Sequence, residues 1–147
     1  MLCLLLTGCV AAPPGVPVPA TRDGGDALAL ASAERERRGL APLTFDTRLA
    51  AAARDQAAVM ARRGRIGHDG PGGSTVLERV RDAGVAACHM AENVAMGQAS
   101  AAAVHADWMG SSGHRANILN RNVRSGAVAA VEGGGRLWWA MVLAGPC

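Results

Sequence analysis

The sequence predicts one α+β domain, and three observations carry the prediction. Segments with a helical period come first and most strand-like segments come last, the order of an α+β fold rather than of a parallel βαβ sheet. The last two strand-like runs are separated by little more than Gly133-Gly134-Gly135, so they pair antiparallel. The chain has 147 residues, 50% of them hydrophobic and 18% charged, which is room for one buried core and unlike a disordered tail. Aromatic residues make up only 3%, so that core is built mainly from small side chains.

The elements follow in order. Asp26 to Arg38 reads as a helix, with Leu28, Ala31 and Arg35 on one face, Gly39 as its stop and Pro42 beyond. Asp46 or Thr47 caps a second helix to about Arg63, in which Leu49, Ala53, Ala57 and Met60 recur at helical spacing before Gly64. Gly64 to Gly73 is a loop that carries His68. Thr75-Val76-Leu77-Glu78 is a capping-box pattern, and a short helix follows to Ala83 and Gly84. Met90 to Ala95 is short and apolar and reads as a strand, with Glu92 and Asn93 inside it. Ser100 caps a fourth helix through about Met109, Gly110-Ser111-Ser112-Gly113 breaks it, and His114 to Leu119 makes a further turn. Gly126 to Val131 and Leu137 to Leu143 are the closing strands. Trp138 and Trp139 point to opposite faces, so one is expected in the core and the other at a surface or cleft.

The N-terminus reads as an address. Residues 1–8 form an apolar signal segment, too short to span a bilayer and without Arg or Lys, as a start codon placed too late would leave it. Leu6-Thr7-Gly8-Cys9 looks like a bacterial lipobox, with cleavage before Cys9 and lipidation of its thiol; a truncated secretory signal, and hence secretion, is the alternative. By analogy with bacterial lipoproteins, Val10 after the cysteine points to the outer membrane. Residues 9–25, with Pro13, Pro14, Pro17 and Pro19, form an extended tether, and the domain occupies residues 26–147. Cys88 and Cys147 then remain as an even pair in an exported domain, which points to a disulfide; two free thiols are the alternative.

Net charge is +3, with 15 basic residues, all Arg, scattered among 12 acids. No clustered basic run marks nucleic acid as a partner. The four histidines are the titratable groups to weigh. His68 and His114 lie in Gly-rich segments between elements, where functional residues concentrate, although a single loop histidine is commonly just exposed. Glu92 sits in an apolar strand, and a carboxylate there needs a partner. His105 is expected to be exposed on its helix, His89 beside Cys88 does not make a metal site, and Arg115 is expected to pair with an acid.

Several of these segments resemble the CAP superfamily, the group of cysteine-rich secretory proteins, insect venom antigens and plant pathogenesis-related proteins. Arg35 with Gly39-Leu40-Ala41-Pro42-Leu43, the ladder Leu49, Ala52, Ala53, Ala57, Met60, and Ala91-Glu92-Asn93-Val94-Ala95 carry the resemblance. So do Arg79 with Gly84, the run Trp108 to Leu119, and Gly126 with Trp139. The resemblance spans about Asp26 to Ala144. It implies a three-layer α-β-α sandwich around an antiparallel sheet, with a central cleft of two His and two Glu. His68, Glu92 and His114 match three of those positions, and Ser111 stands where the second Glu would be. Ser32 stands where the family usually has Asn.

The resemblance implies an exported envelope protein that binds a ligand or a divalent metal in this cleft. Imidazole nitrogens suit zinc, and His68, His114 and Glu92 would supply three ligands and leave one position open. Two alternatives stand beside that reading. One is a metal-dependent hydrolase of peptides or esters, which needs a general base that Glu92 cannot easily supply while it is a ligand. The other is an interaction scaffold in which Glu92 merely hydrogen-bonds the histidines. The expected partners are a small apolar ligand or an envelope protein, and the membrane through the lipid anchor.

Overall fold

The structure, a computed structural model, describes residues 22–147; the signal segment, Cys9 and the stretch up to Thr21 lie outside them. Helix α1 (Arg22–Arg37) opens earlier than its pattern indicates, across Gly24 and Gly25. Both glycines fall in the stretch read as tether, but Gly24 lies against the Val128 carbonyl where a Cβ would clash, so the first turn needs a residue without a side chain there.

Strand β1 (Thr44–Phe45) comes next, then α2 (Thr47–Arg63), capped by the Asp46 carboxylate and closed by Gly64 in the left-handed region. A 3-10 turn at Pro71–Gly73 precedes α3 (Val76–Asp82), whose capping box between Thr75 and Glu78 is fully formed. Strand β2 (His89–Met96), α4 (Ala101–Gly110) capped by Ser100, and α5 (Ser112–Ile118) follow. Strands β3 (Ser125–Gly133) and β4 (Arg136–Gly145) close the domain.

The sheet order is β1-β3-β4-β2. The central strand β4 pairs antiparallel with both β3 and β2. The expected antiparallel sheet is therefore correct for the long strands, but β1 runs parallel to β3 and makes the sheet mixed. With two residues, β1 has no period to read; it forms because the Thr44 N–H donates to the Arg124 carbonyl at 2.9 Å and the Asp46 N–H to the Gly126 carbonyl at 3.2 Å.

Strand alternation divides the apolar residues between two cores. On one face Val128, Trp139, Met141 and Leu143 pack with α1 and α4 residues such as Leu28 and Trp108. On the other, Ala127, Trp138, Ala140 and Val142 pack with Leu49, Ala53 and Met60 of α2 and Val80 of α3. Helices thus cover both faces, which gives the three-layer α+β sandwich. It also corrects the expectation for the tryptophan pair: Trp138 and Trp139 are both buried, because neither face of the sheet is open. Their indole N–H groups donate to the Gly133 and Gln98 carbonyls, each at 2.9 Å, so neither is left unsatisfied.

Two further ties fix the frame. Arg35 is fully buried and donates to the carbonyls of Ala41, Ile118, Asn120 and Val123 at 2.7–3.0 Å. Its planar fork stitches α1 to the α5–β3 connection with no acid in the network. Cys88 and Cys147 are disulfide-bonded, joining the start of β2 to the residues after β4.

Candidate functional site

Three elements bring the predicted residues toward one another. The Gly64–Thr75 loop carries His68, β2 carries Glu92, and the first turn of α5 carries His114. Buried Gln56 of α2 shapes the loop by donating to the Gly67 carbonyl at 2.5 Å. Arg63 does the same by donating to the Asp69 carbonyl at 2.9 Å.

Glu92 is the pivot. Its side chain is only 2% exposed, and each oxygen has a donor. Nδ1 of His68 lies 2.9 Å from one oxygen and Nη2 of Arg79 lies 2.5 Å from the other. Arg79 is itself buried, with a 4% exposed side chain, and also donates to the Ser74 and His68 carbonyls. The result is a relay, Arg79 to Glu92 to His68, that runs from the interior to a ring 62% exposed. An ionised carboxylate only accepts, so Nδ1 of His68 carries the proton and Nε2 faces outward with its lone pair while the ring is neutral.

His114 is placed from the same strand. Nδ2 of buried Asn93 donates to the His114 carbonyl at 3.0 Å. Nδ2 of Asn117 donates to Oδ1 of Asn93 at 2.8 Å, so α5 is locked onto β2 beside Glu92. Burial pushes the His114 imidazole below its ordinary pKa, and the neighbouring His68 pushes it further down.

Ser111 caps the α4–α5 junction through its backbone, donating to the Asp107 and Trp108 carbonyls, while its side chain makes no cap hydrogen bond to α5. It stands one turn before His114 and supplies no carboxylate, so the cleft holds one acid, Glu92. The three-ligand zinc set does not fit this arrangement. Among the described residues no three His, Cys, Asp or Glu are grouped to hold a metal ion. Glu92 is already engaged by Arg79 and His68, and two imidazoles are fewer than the three protein ligands of a catalytic zinc site. A carboxylate on the far ring nitrogen of a histidine orients that ring rather than ligating beside it.

Other expectations are corrected. His105 is not exposed: its Nδ1 is buried without a partner, and burial lowers its pKa. Arg115 donates to the Met109 carbonyl at 3.0 Å rather than pairing with an acid. Cys88 is bonded to Cys147, which removes it as a companion ligand for His89. The part Arg79 plays in the site is not legible from its position in the chain. The available signal was the buried acid itself, which demands a cation, and Arg79 in the neighbouring short helix was a candidate.

The comparisons with known proteins bear on the fold and the family. The chain is 35% identical over 105 residues to the Bacillus subtilis protein YkwD, covering 71% of this chain and 41% of that one. It thus spans about two fifths of that relative. An extracellular protein containing a SCP domain from Bacillus anthracis superposes with a TM-score of 0.74 at 22% identity, over 83% of this chain and 40% of that one. An outer surface protein from Borrelia burgdorferi does so with a TM-score of 0.74 at 16% identity, over 82% and 90%. At these identities the structural matches speak for the fold. The model of the cysteine-rich secretory protein family, CAP, matches residues 28–143. The chain belongs to the CAP family.

Proposed function

We propose that this domain works outside the cytoplasm as a binding protein, and that its ligand meets Nε2 of His68 and the imidazole of His114. The observation that carries the proposal is the buried relay from Arg79 through Glu92 to His68. It fixes the ring and its tautomer while leaving one nitrogen outward, which suits recognition of a group that donates a hydrogen bond. With both Glu92 oxygens engaged, that carboxylate is free neither to ligate a metal nor to act as its general base, which favours binding over metal-dependent hydrolysis. The disulfide supports an oxidising compartment. The Bacillus anthracis and Borrelia matches, described as extracellular and outer-surface proteins, support the same placement. Cys9 would be the anchor point on the envelope.

Histidine-ring NMR tests the reading. Spectra of the wild type and of Glu92→Gln are recorded while zinc chloride, and then a fragment set of alcohols and amides, is added. The expected result is that a donor-bearing fragment moves the His68 and His114 signals together and saturably, and that Glu92→Gln weakens the effect. Silence from every fragment would sink the proposal. So would stoichiometric zinc binding that survives Glu92→Gln, which would make this a two-imidazole metal site.

A further inference from the structure

We propose that the β3–β4 hairpin end of the domain, on the side covered by α2, is a docking surface for a bilayer with anionic headgroups. This is separate from the cleft reading and does not depend on it.

The surface is assembled from three elements. Helix α2 ends in Arg62 and Arg63, and the chain continues through Gly64 into Arg65 and Ile66. The hairpin turn abuts that helix end: a Cβ built on Gly133 would lie 2.8 Å from Cβ of Ala61. On β4 the residues facing α2 are Trp138, Ala140 and Val142, so alternation puts Arg136 on that side. On β2, Val94 faces α2, so Met96 does too, and Met96 pairs in register with Trp138.

Exposed apolar side chains and a cluster of arginines meet at this end. Ile66 and Met96 are 43% and 40% exposed, and among the described residues they are two of only three exposed large apolar side chains. The arginines beside them also lack acidic partners. Arg62, Arg65 and Arg136 make no ion pair among the described residues, as is also true of Arg54, Arg81, Arg115, Arg121 and Arg124; what marks this end is that Arg62, Arg63 and Arg65 crowd into four residues next to the exposed Ile66. Arg63 donates to the Asp69 and Gly70 carbonyls. Of the nearby acids, Asp69 lies in the loop after Ile66, and Glu132 alternates with Ala130 onto the other face of the sheet.

Unpaired guanidinium groups around separated apolar side chains are the chemistry of an interfacial contact. The cations meet headgroup phosphates and the apolar groups enter the headgroup–acyl boundary. A fluid surface conforms to two separated side chains. A rigid protein partner would want a contiguous apolar patch. Bilayer apposition would hold this end of the domain at the membrane.

The test is sedimentation of the 147-residue chain, with Cys9→Ser so that no acyl chain contributes, on sucrose-loaded vesicles. Phosphatidylglycerol mixed with phosphatidylcholine is compared with phosphatidylcholine alone, at low and high salt. Leu2, Leu4, Leu5 and Leu6 are replaced by Ser in every chain, so that this apolar run binds neither kind of vesicle. Binding is expected on the anionic vesicles and should fall with salt. Arg62→Gln, Arg65→Gln and Arg136→Gln should each weaken it roughly fivefold, and about a hundredfold together. Ile66→Ser with Met96→Ser should weaken it while leaving the salt dependence unchanged. Equal binding to neutral vesicles, an unaffected triple variant, or no vesicle binding would overturn the proposal. So would an equal loss on replacing Arg81 and Arg121, exposed arginines elsewhere on the domain, because net charge alone would then be at work.

Discussion

Replacing Arg79 by Met tests the relay that holds the cleft together. In the wild type, the carboxylate of Glu92 and the guanidinium of Arg79 are both almost fully withdrawn from water. The substitution keeps the aliphatic stem and removes the charge, leaving Glu92 buried with His68 as its only donor. Breaking a buried pair in this way costs about 3–5 kcal/mol, because one charge stays behind uncompensated. The Ser74 and His68 carbonyls also lose a donor, but their loop is partly open to water, which limits that addition. A loss of about 4 kcal/mol corresponds to a fall in Tm of roughly 15 °C for a domain of this size. Urea unfolding at pH 7, followed by the buried tryptophans Trp108, Trp138 and Trp139, measures it directly. The double variant with Glu92→Gln is the control. With no carboxylate to strand, it should be about 2 kcal/mol more stable than the sum of the two single losses implies. A loss under about 1 kcal/mol for Arg79→Met, or strict additivity in the cycle, would show that the pair does not hold the site as the geometry requires.

Arg35→Met should cost about 4 kcal/mol in urea unfolding, because four backbone carbonyls lose their donor, and Arg35→Lys should rescue little because an ammonium cannot span them. Replacing Cys88 and Cys147 by Ser opens a loop with a sequence separation of 59 and should cost about 4 kcal/mol in the chain-entropy model, read as a shift in urea midpoint against the oxidised wild type. Stability should also fall with acidification. His114 and His105 both have lowered folded pKa values, so below the ordinary value of 6.5 the unfolded chain takes up protons more readily, and the loss continues until the folded rings protonate as well. His114→Asn and His105→Asn should each flatten the fall in Tm below that pH; parallel pH profiles would refute the assignment.

The parts of the fold governed by local rules were legible in the sequence. Asp46, Thr75 with Glu78, and Ser100 announced their helices because each cap is a side chain bonding to a nearby backbone N–H. The features set by distant contacts were hidden. Helix α5 starts at Ser112 and runs through Gly113, which reads as a breaker; the Asn117 and Arg115 bonds to β2 and α4 outweigh that propensity. The burial of both Trp138 and Trp139 depends on which faces the helices cover, and strand alternation alone does not say. At the cleft, His68, Glu92 and His114 were found through the family resemblance, whereas Arg79 and Asn93 acquire their roles only when the His68 loop and α5 close over β2. The demotion of Glu92 from metal ligand to ring-orienting partner has the same origin, since it follows from the cation behind it.

The place of β4 in the sheet also sets when this chain can fold. Strand β4 lies between β2 and β3 and is the last of them to be synthesised. Until Arg136–Gly145 has emerged, β2 has no strand to pair with and β3 has only the two-residue β1. Neither core can close, because Trp138 and Trp139 supply one indole to each. A chain with this topology closes its sheet in one late, long-range step. The disulfide depends on the same late segment, since Cys147 follows β4, and it ties the start of β2 to the end of the central strand. A product cut short before β4 would lack both the central strand and the cross-link, and would be left with unpaired strands open to proteolysis.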